Sequence, residues 1–69
     1  MHMKKFAVTW VRGDDTGLLK LCETREDAMT AKRLLEEKYN NQDVHFAVFY
    51  GNVDERGSLI MDSHCRMLF

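Results

Sequence analysis

The side chains that could hold a metal ion are Cys22, His45, His64 and Cys65. Cysteine and histidine are zinc ligands, but the spacing of these four does not match a zinc-finger pattern. In the sheet predicted below, Cys22 and His45 lie about 13–17 Å apart along the strands, so we expect no zinc site and no cofactor. A smaller cluster of two histidines and one carboxylate, His45, His64 and Asp62, stays open as an alternative metal or ligand site.

The same residue types could also support nucleophilic catalysis, with Cys65 as nucleophile and His64 as base. Adjacent residues on a strand point to opposite faces, so these two cannot share the hydrogen bond that activation requires. No glycine-rich phosphate loop follows a predicted strand, and the acidic pairs Asp14-Asp15 and Asp54-Glu55 fall in different loops. A single helix on a small sheet also leaves little volume for a closed pocket. We therefore expect no enzymatic activity, and we interpret Cys65 as a small packing residue.

Arg12-Gly13-Asp14 is a tripeptide that some extracellular adhesion proteins present to integrins. Here it borders a run of turn-forming residues, Gly13 to Thr16, and we interpret it as part of a hairpin turn. The apolar run Phe6 to Val11 is too short for a secretory signal, and no segment approaches membrane-spanning length. Two cysteines are too few for a disulfide framework, so the sequence favours a cytoplasmic protein that does not enter the membrane.

Two strands are predicted on either side of this turn. Lys4–Arg12 is predicted to be a strand, because β-branched and aromatic residues recur with period two, with Phe6, Val8 and Trp10 on one face and Ala7, Thr9 and Val11 on the other. Leu18–Glu23 forms the second strand. The predicted register places Trp10 opposite Leu19 and Val8 opposite Leu21.

One helix is predicted between the second and third strands, over residues 24–41. Thr24 is the expected N-cap, Asp27 follows three residues later, and Asn40-Asn41 supply the stop. The predicted apolar stripe of the helix consists of Ala28, Ala31, Leu34, Leu35 and Tyr39.

The third strand is predicted over residues 44–51 and the fourth over residues 58–64, which gives the order ββαββ. Placing the most apolar strands in the centre predicts an α+β fold, with an antiparallel sheet in the order 2-1-3-4 and one helix on one face. We expect Leu59 and Met61, rather than Ile60, on the helix side. The predicted helix face carries Phe6, Val8, Trp10, Leu19, Leu21, Val44, Phe46 and Val48.

The face away from the helix is predicted to be too apolar to remain in water. We expect a partner there, either a second copy of the chain in a homodimer or another protein. Small single domains also have thin cores and gain stability from a partner. The predicted partner-binding residues are Thr9, Val11, Leu18, Lys20, Ala47, Phe49 and Ile60, and Ala7, Cys22 and His45 are expected on the same face.

Nucleic acid is the alternative ligand for this open face, because RNA-recognition modules also bind through a bare sheet. The net charge of −1 provides no strong attraction for phosphates. On the predicted open face Phe49 is the one aromatic side chain and Lys20 the one firm cation. A weak binder would use these two with Lys4, Lys5 and Arg12.

The chain of 69 residues is interpreted as a single small domain over 1–69, in which Met1-His2 is expected to be a cloning remnant. The chain resembles a class of small phage or mobile-element accessory proteins, including inhibitors of host defence, because it is compact and has no evident catalytic groups. That resemblance rests on no motif. It implies a protein that acts by occupying the surface of another protein.

Overall fold

The computed structural model describes residues 3–40 and 43–68, so Met1-His2, Asn41-Gln42 and Phe69 lie outside the described residues. The elements are β1 (Met3–Arg12), β2 (Asp15–Cys22), α1 (Arg25–Lys38), β3 (His45–Val53) and β4 (Arg66–Met67). The strands form one antiparallel sheet in the order β2-β1-β3-β4, with α1 packed against it. The predicted α+β class and the strand order 2-1-3-4 are confirmed.

The turn between β1 and β2 is tighter than predicted. Arg12 pairs with Asp15, so only Gly13 and Asp14 lie in the turn. Gly13 has φ +61°, a left-handed conformation that glycine adopts without a steric penalty. A two-residue turn with positive φ at its first position alone is the type II′ hairpin connection. The Arg12-Gly13-Asp14 tripeptide thus forms the end of a strand and a hairpin turn.

The register of the hairpin differs from the prediction for two reasons. The shorter turn pairs Trp10 with Gly17 instead of Leu19. A bulge between Val8 and Thr9 then shifts the pairing once more, so that Val8 lies opposite Lys20. A shift of one residue turns side chains to the other face of the sheet. The predicted faces of Lys20, Leu21 and Cys22 are therefore wrong, whereas that of Leu18 is right.

The main core lies between α1 and one face of the sheet. Val8 and Val48 are fully buried there against Ala28, and Cys22, predicted for the open face, belongs to the same cluster. Phe6, Ala31 and Leu35 pack around them. Leu34, predicted in the apolar stripe of the helix, is exposed instead.

The helix begins where the sequence predicts and ends earlier. Thr24 caps it, because its Oγ1 accepts a hydrogen bond from the Asp27 N–H at 3.1 Å. The last helical residue is Lys38, and Tyr39 is the C-cap. Asn40 directly follows this cap, but it does not adopt the predicted left-handed conformation, because no described residue other than glycine has a positive φ; Asn41 lies outside the described residues.

The fourth strand is not the predicted segment 58–64. That segment makes one isolated bridge, from Leu59 to Val53, and the Ile60 N–H donates to the Asn52 carbonyl at 2.8 Å. A turn follows, in which Asp62 accepts hydrogen bonds from the His64 and Cys65 N–H groups. The chain then returns to β3 as β4, pairing Met67 with Phe49 and Arg66 with Tyr50. The C-terminal tail therefore packs on the sheet.

Candidate binding groove on the open face of the sheet

An apolar groove of about 460 Å³ lies on the sheet face opposite the helix, and we call it the open-face groove. Three strands and the segment after β3 contribute to it. None of its lining residues carries a charge. The groove is lined by Thr9, Val11, Thr16, Gly17, Leu18, Phe49, Ser58, Leu59 and Met61.

Strand alternation and pairing place the side chains of the strand residues in this lining on one face, and Gly17, which pairs with Trp10, contributes backbone only. Thr9 pairs with Leu18 on β2 and with Ala47 on β3, and directly paired residues point to the same side of a sheet. Leu59 joins this face through its bridge to Val53. The groove is therefore a product of the hairpin register and of the chain that follows β3.

Buried Thr9 forms the floor of the groove, and larger residues form its walls. Ala7, Thr9 and Ala47 are buried, although no helix covers this face. The Thr9 hydroxyl donates to the Ala47 carbonyl at 3.3 Å, which satisfies the one polar side chain of the floor. Leu18 and Phe49 rise beside these small side chains, and Met61, which is 69% exposed, closes the other wall.

Most of the predicted partner-binding residues lie on this face. Thr9, Val11, Leu18 and Phe49 line the groove, whereas Ala47 is buried on the same face beside Thr9 and is not part of the lining. Their role in binding stays a prediction, since no partner is present in the structure.

Lys20 and Ile60 are the two exceptions. Lys20 lies on the helix side with Val8 and borders a separate hollow beside Asp27 and Leu34. Ile60 is half-buried and is not part of the groove lining, so its role in binding stays a prediction.

Sequence reasoning missed Leu59 and Met61, which it assigned to the helix side because two large apolar residues outweighed one. The structure places them in the groove instead. Asp62 marks the turn that ends the extended segment, but this local signal does not say which face Leu59 and Met61 occupy.

The cations named for nucleic-acid binding do not converge on the groove. Lys5 forms an ion pair with Glu23, and the Lys4 ammonium lies 5.8 Å from the centre of the Tyr50 ring. Lys20 lies on the helix side of the sheet, and Arg12 is the last residue of β1, next to the turn. The open face therefore offers Phe49 for stacking without the basic groove that single-stranded nucleic acid requires.

Both cysteine thiols are poor nucleophiles. Burial raises the pKa of Cys22, although Lys20 opposes this rise and Asp27 adds to it. Burial and the Asp62 carboxylate raise the pKa of Cys65, whose Sγ donates to Met61 Sδ at 3.7 Å. Because the thiolate is the reactive form, the raised pKa values lower the reactivity of both side chains near neutral pH.

The proposed cluster of His45, Asp62 and His64 does not form. His45 pairs with Val11 at the start of β3, whereas His64 precedes the residues that pair with Tyr50, about 16 Å further along that strand. Within residues 3–40 and 43–68, no group of three or more His, Cys, Asp or Glu side chains could hold a metal ion.

Comparisons with known proteins add no information about function. No protein-family model, no curated protein and no solved structure matches this chain. In the part of the chain that the structure describes, no helix has the length and apolar character needed to span a membrane. The functional argument therefore rests on the groove.

Proposed function

We propose that this chain is a non-enzymatic protein-interaction module whose contact surface is the open-face groove. The observation that carries the proposal is a groove of about 460 Å³ with an apolar, uncharged lining on the face opposite the helix. Exposed apolar surface of this kind is typical of sites where proteins meet.

A protein side chain suits the groove better than a small polar ligand does. Small-molecule sites combine an apolar lining with several convergent polar groups. Here the Thr9 hydroxyl already donates a hydrogen bond to the Ala47 carbonyl, and the other hydroxyls in the lining belong to Thr16 and Ser58. The Thr16 hydroxyl in turn donates to the Trp10 carbonyl at 2.8 Å. Met61 and Leu18 are flexible walls that adapt to apolar side chains of a partner.

The thin core supports the same proposal. Among the described residues, Val8 and Val48 are the largest side chains that are fully buried. A domain of this size buries about 60% of its unfolded surface, so its stability is small. A partner that covers the groove would add apolar burial and stabilise the folded chain.

The proposed mode of action is occupation of a partner surface. The raised pKa values of the two thiols disfavour covalent catalysis by cysteine. Both cysteines are also free, which fits a reducing cytoplasm. This mode of action is the one expected of a small accessory or inhibitor protein of a phage or mobile element.

Site-specific photo-crosslinking in cells tests this proposal. A benzophenone amino acid replaces Leu18 in the groove or, as a matched control, Met29 on the helix; these residues are 41% and 47% exposed. We expect protein adducts at position 18 to exceed those at position 29 by roughly ten-fold, because binding energy concentrates at the contact surface. Phe49→Glu should abolish the adducts at position 18. Equal yields at both positions, or no adduct at either, would contradict the proposal.

Binding to random single-stranded RNA distinguishes this proposal from the nucleic-acid alternative. We expect dissociation constants no tighter than those of non-specific complexes, about 10⁻⁴ to 10⁻⁶ M at physiological salt. Tighter binding by fluorescence anisotropy, lost on Phe49→Ala, would favour the alternative.

A further inference from the structure

We infer that the occupant of the open-face groove is a second copy of this chain. The two sheets pack face to face, and the two helices lie on the outside. This inference rests on the proposed function, because it names the partner of the same groove.

The area of the open face is close to what a stable dimer requires. A specific interface buries about 800 Å² on each partner, which is roughly 15% of the 5251 Å² accessible surface of this chain. The four strands, of 10, 8, 9 and 2 residues, cover roughly 460 Å² in projection, and the accessible area of a corrugated face exceeds its projection. The face as a whole, rather than the groove alone, therefore suits a second sheet.

The distribution of charge also favours a second copy on this face. In a symmetric dimer each patch meets its own copy, so a charged patch would face like charge. None of the groove lining is charged, and Lys5, which lies further along the same face, is paired with Glu23, so two copies can approach without strong like-charge repulsion. The outer surface of α1 differs, since Glu26, Lys32, Arg33 and Glu36 all lie there. That surface remains solvated when the sheets meet.

The shape of the groove is suited to the same arrangement. Two antiparallel sheets pack about 10 Å apart with interdigitating side chains. Each copy has the buried Thr9 in the floor of the groove and exposed large residues on the walls, Leu18 and Met61. A two-fold axis through the groove brings the walls of one copy over the floor of the other. The large side chains that are exposed in one chain thereby become buried in the dimer.

Sedimentation of the full chain with two adjacent substitutions tests the inference. Leu18→Glu changes a groove residue, and Leu19→Glu changes the neighbouring bulge residue, which is not part of the groove lining; the two are 41% and 47% exposed. We expect a dimer for the wild type and for Leu19→Glu. For Leu18→Glu the dimer dissociation constant should rise by roughly 100-fold or more, because an unpaired charge would be buried between apolar faces. Circular dichroism should show that both variants are folded.

A second pair of variants covers the case in which Leu18→Glu does not fold. Met61→Glu lies outside the strands, and Met29→Glu is its control on the helix. Met61→Glu should dissociate the dimer and Met29→Glu should not. A wild type that stays monomeric at about 1 mM would overturn the inference, as would equal dissociation by groove and control variants. In either case, adducts of a different protein at position 18 would still support the proposed function, whereas their absence would overturn that as well.

Discussion

The two faces of the sheet use apolar residues in opposite ways. On the helix face, the larger side chains Val8 and Val48 lie in the centre and are fully buried against the small residue Ala28 of the helix. On the open face, the small residues Ala7 and Ala47 lie in the centre and the large ones stand around them. The face that the helix covers therefore has its larger side chains at the centre. The open face has small side chains there, and a groove remains.

This difference separates folding from association. Apolar side chains on the helix face are already removed from water in one chain, so their burial stabilises the fold. Leu18 and Met61 on the open face remain 41% and 69% exposed, so their further burial requires a partner. Substitutions on the two faces should consequently affect different measurements.

Neighbouring substitutions on β3 should give the largest contrast. Val48→Asp places a charge in the helix-side core and should unfold the chain, because burying an unpaired charge outweighs a marginal stability of about 5 kcal/mol. Phe49→Glu points to the other face and should leave a folded chain that no longer associates. Circular dichroism with urea titration measures the first effect, and light scattering measures the second. If Phe49→Glu also unfolds the chain, Phe49 belongs to the core and the two faces are not distinct.

Gly17→Ala should destabilise the helix side of the hairpin by about 1–3 kcal/mol through overpacking. A Cβ at this position would lie 2.4 Å from Nε1 of Trp10, so the indole must move. Trp10 is the single tryptophan, so its fluorescence emission should shift with this substitution. Lys20→Ala on the same strand is the control, and an emission spectrum that changes equally in both variants would contradict the packing of Trp10 on Gly17.

Gly13→Ala should reduce stability and association together, because the turn sets the register for both faces. The left-handed φ of +61° should make alanine about 1–2 kcal/mol less stable than glycine. Gly13→Asn should retain more stability, since asparagine tolerates this conformation better. Urea titration of the three proteins checks this order. Equal stability of glycine and alanine would show that the type II′ turn is not formed.

Thr24→Ala should have the smallest effect and should act on stability alone. Loss of the hydrogen bond from the Asp27 N–H to Thr24 Oγ1 should lower the free energy of unfolding by about 1 kcal/mol. Association should be unchanged, because the cap lies at the start of the helix and not in the groove. Thr30→Ala, in the interior of the same helix, should be neutral or slightly stabilising. A change in dimerisation caused by Thr24→Ala would show that the helix contributes to the interface.

Local patterns in the sequence were sufficient for the fold class, the strand order and one wall of the groove. The period-two pattern of β1 and β3 places Thr9, Val11 and Phe49 on the open face, because alternation along a strand does not depend on the rest of the fold. The N-cap at Thr24 is equally local, since its hydrogen bond is made to a residue three positions away.

Tertiary structure alone decided which faces Lys20, Cys22, Leu59 and Met61 occupy. The faces of Lys20 and Cys22 depend on the bulge beside Val8, and those of Leu59 and Met61 on the bridge to Val53 and the turn at Asp62. In each case a one-residue difference in pairing reverses the side chain, although the composition of the segment stays the same. Such a difference is determined by the packing of the whole sheet and by where β4 returns to β3, and neither is encoded in any short stretch of sequence.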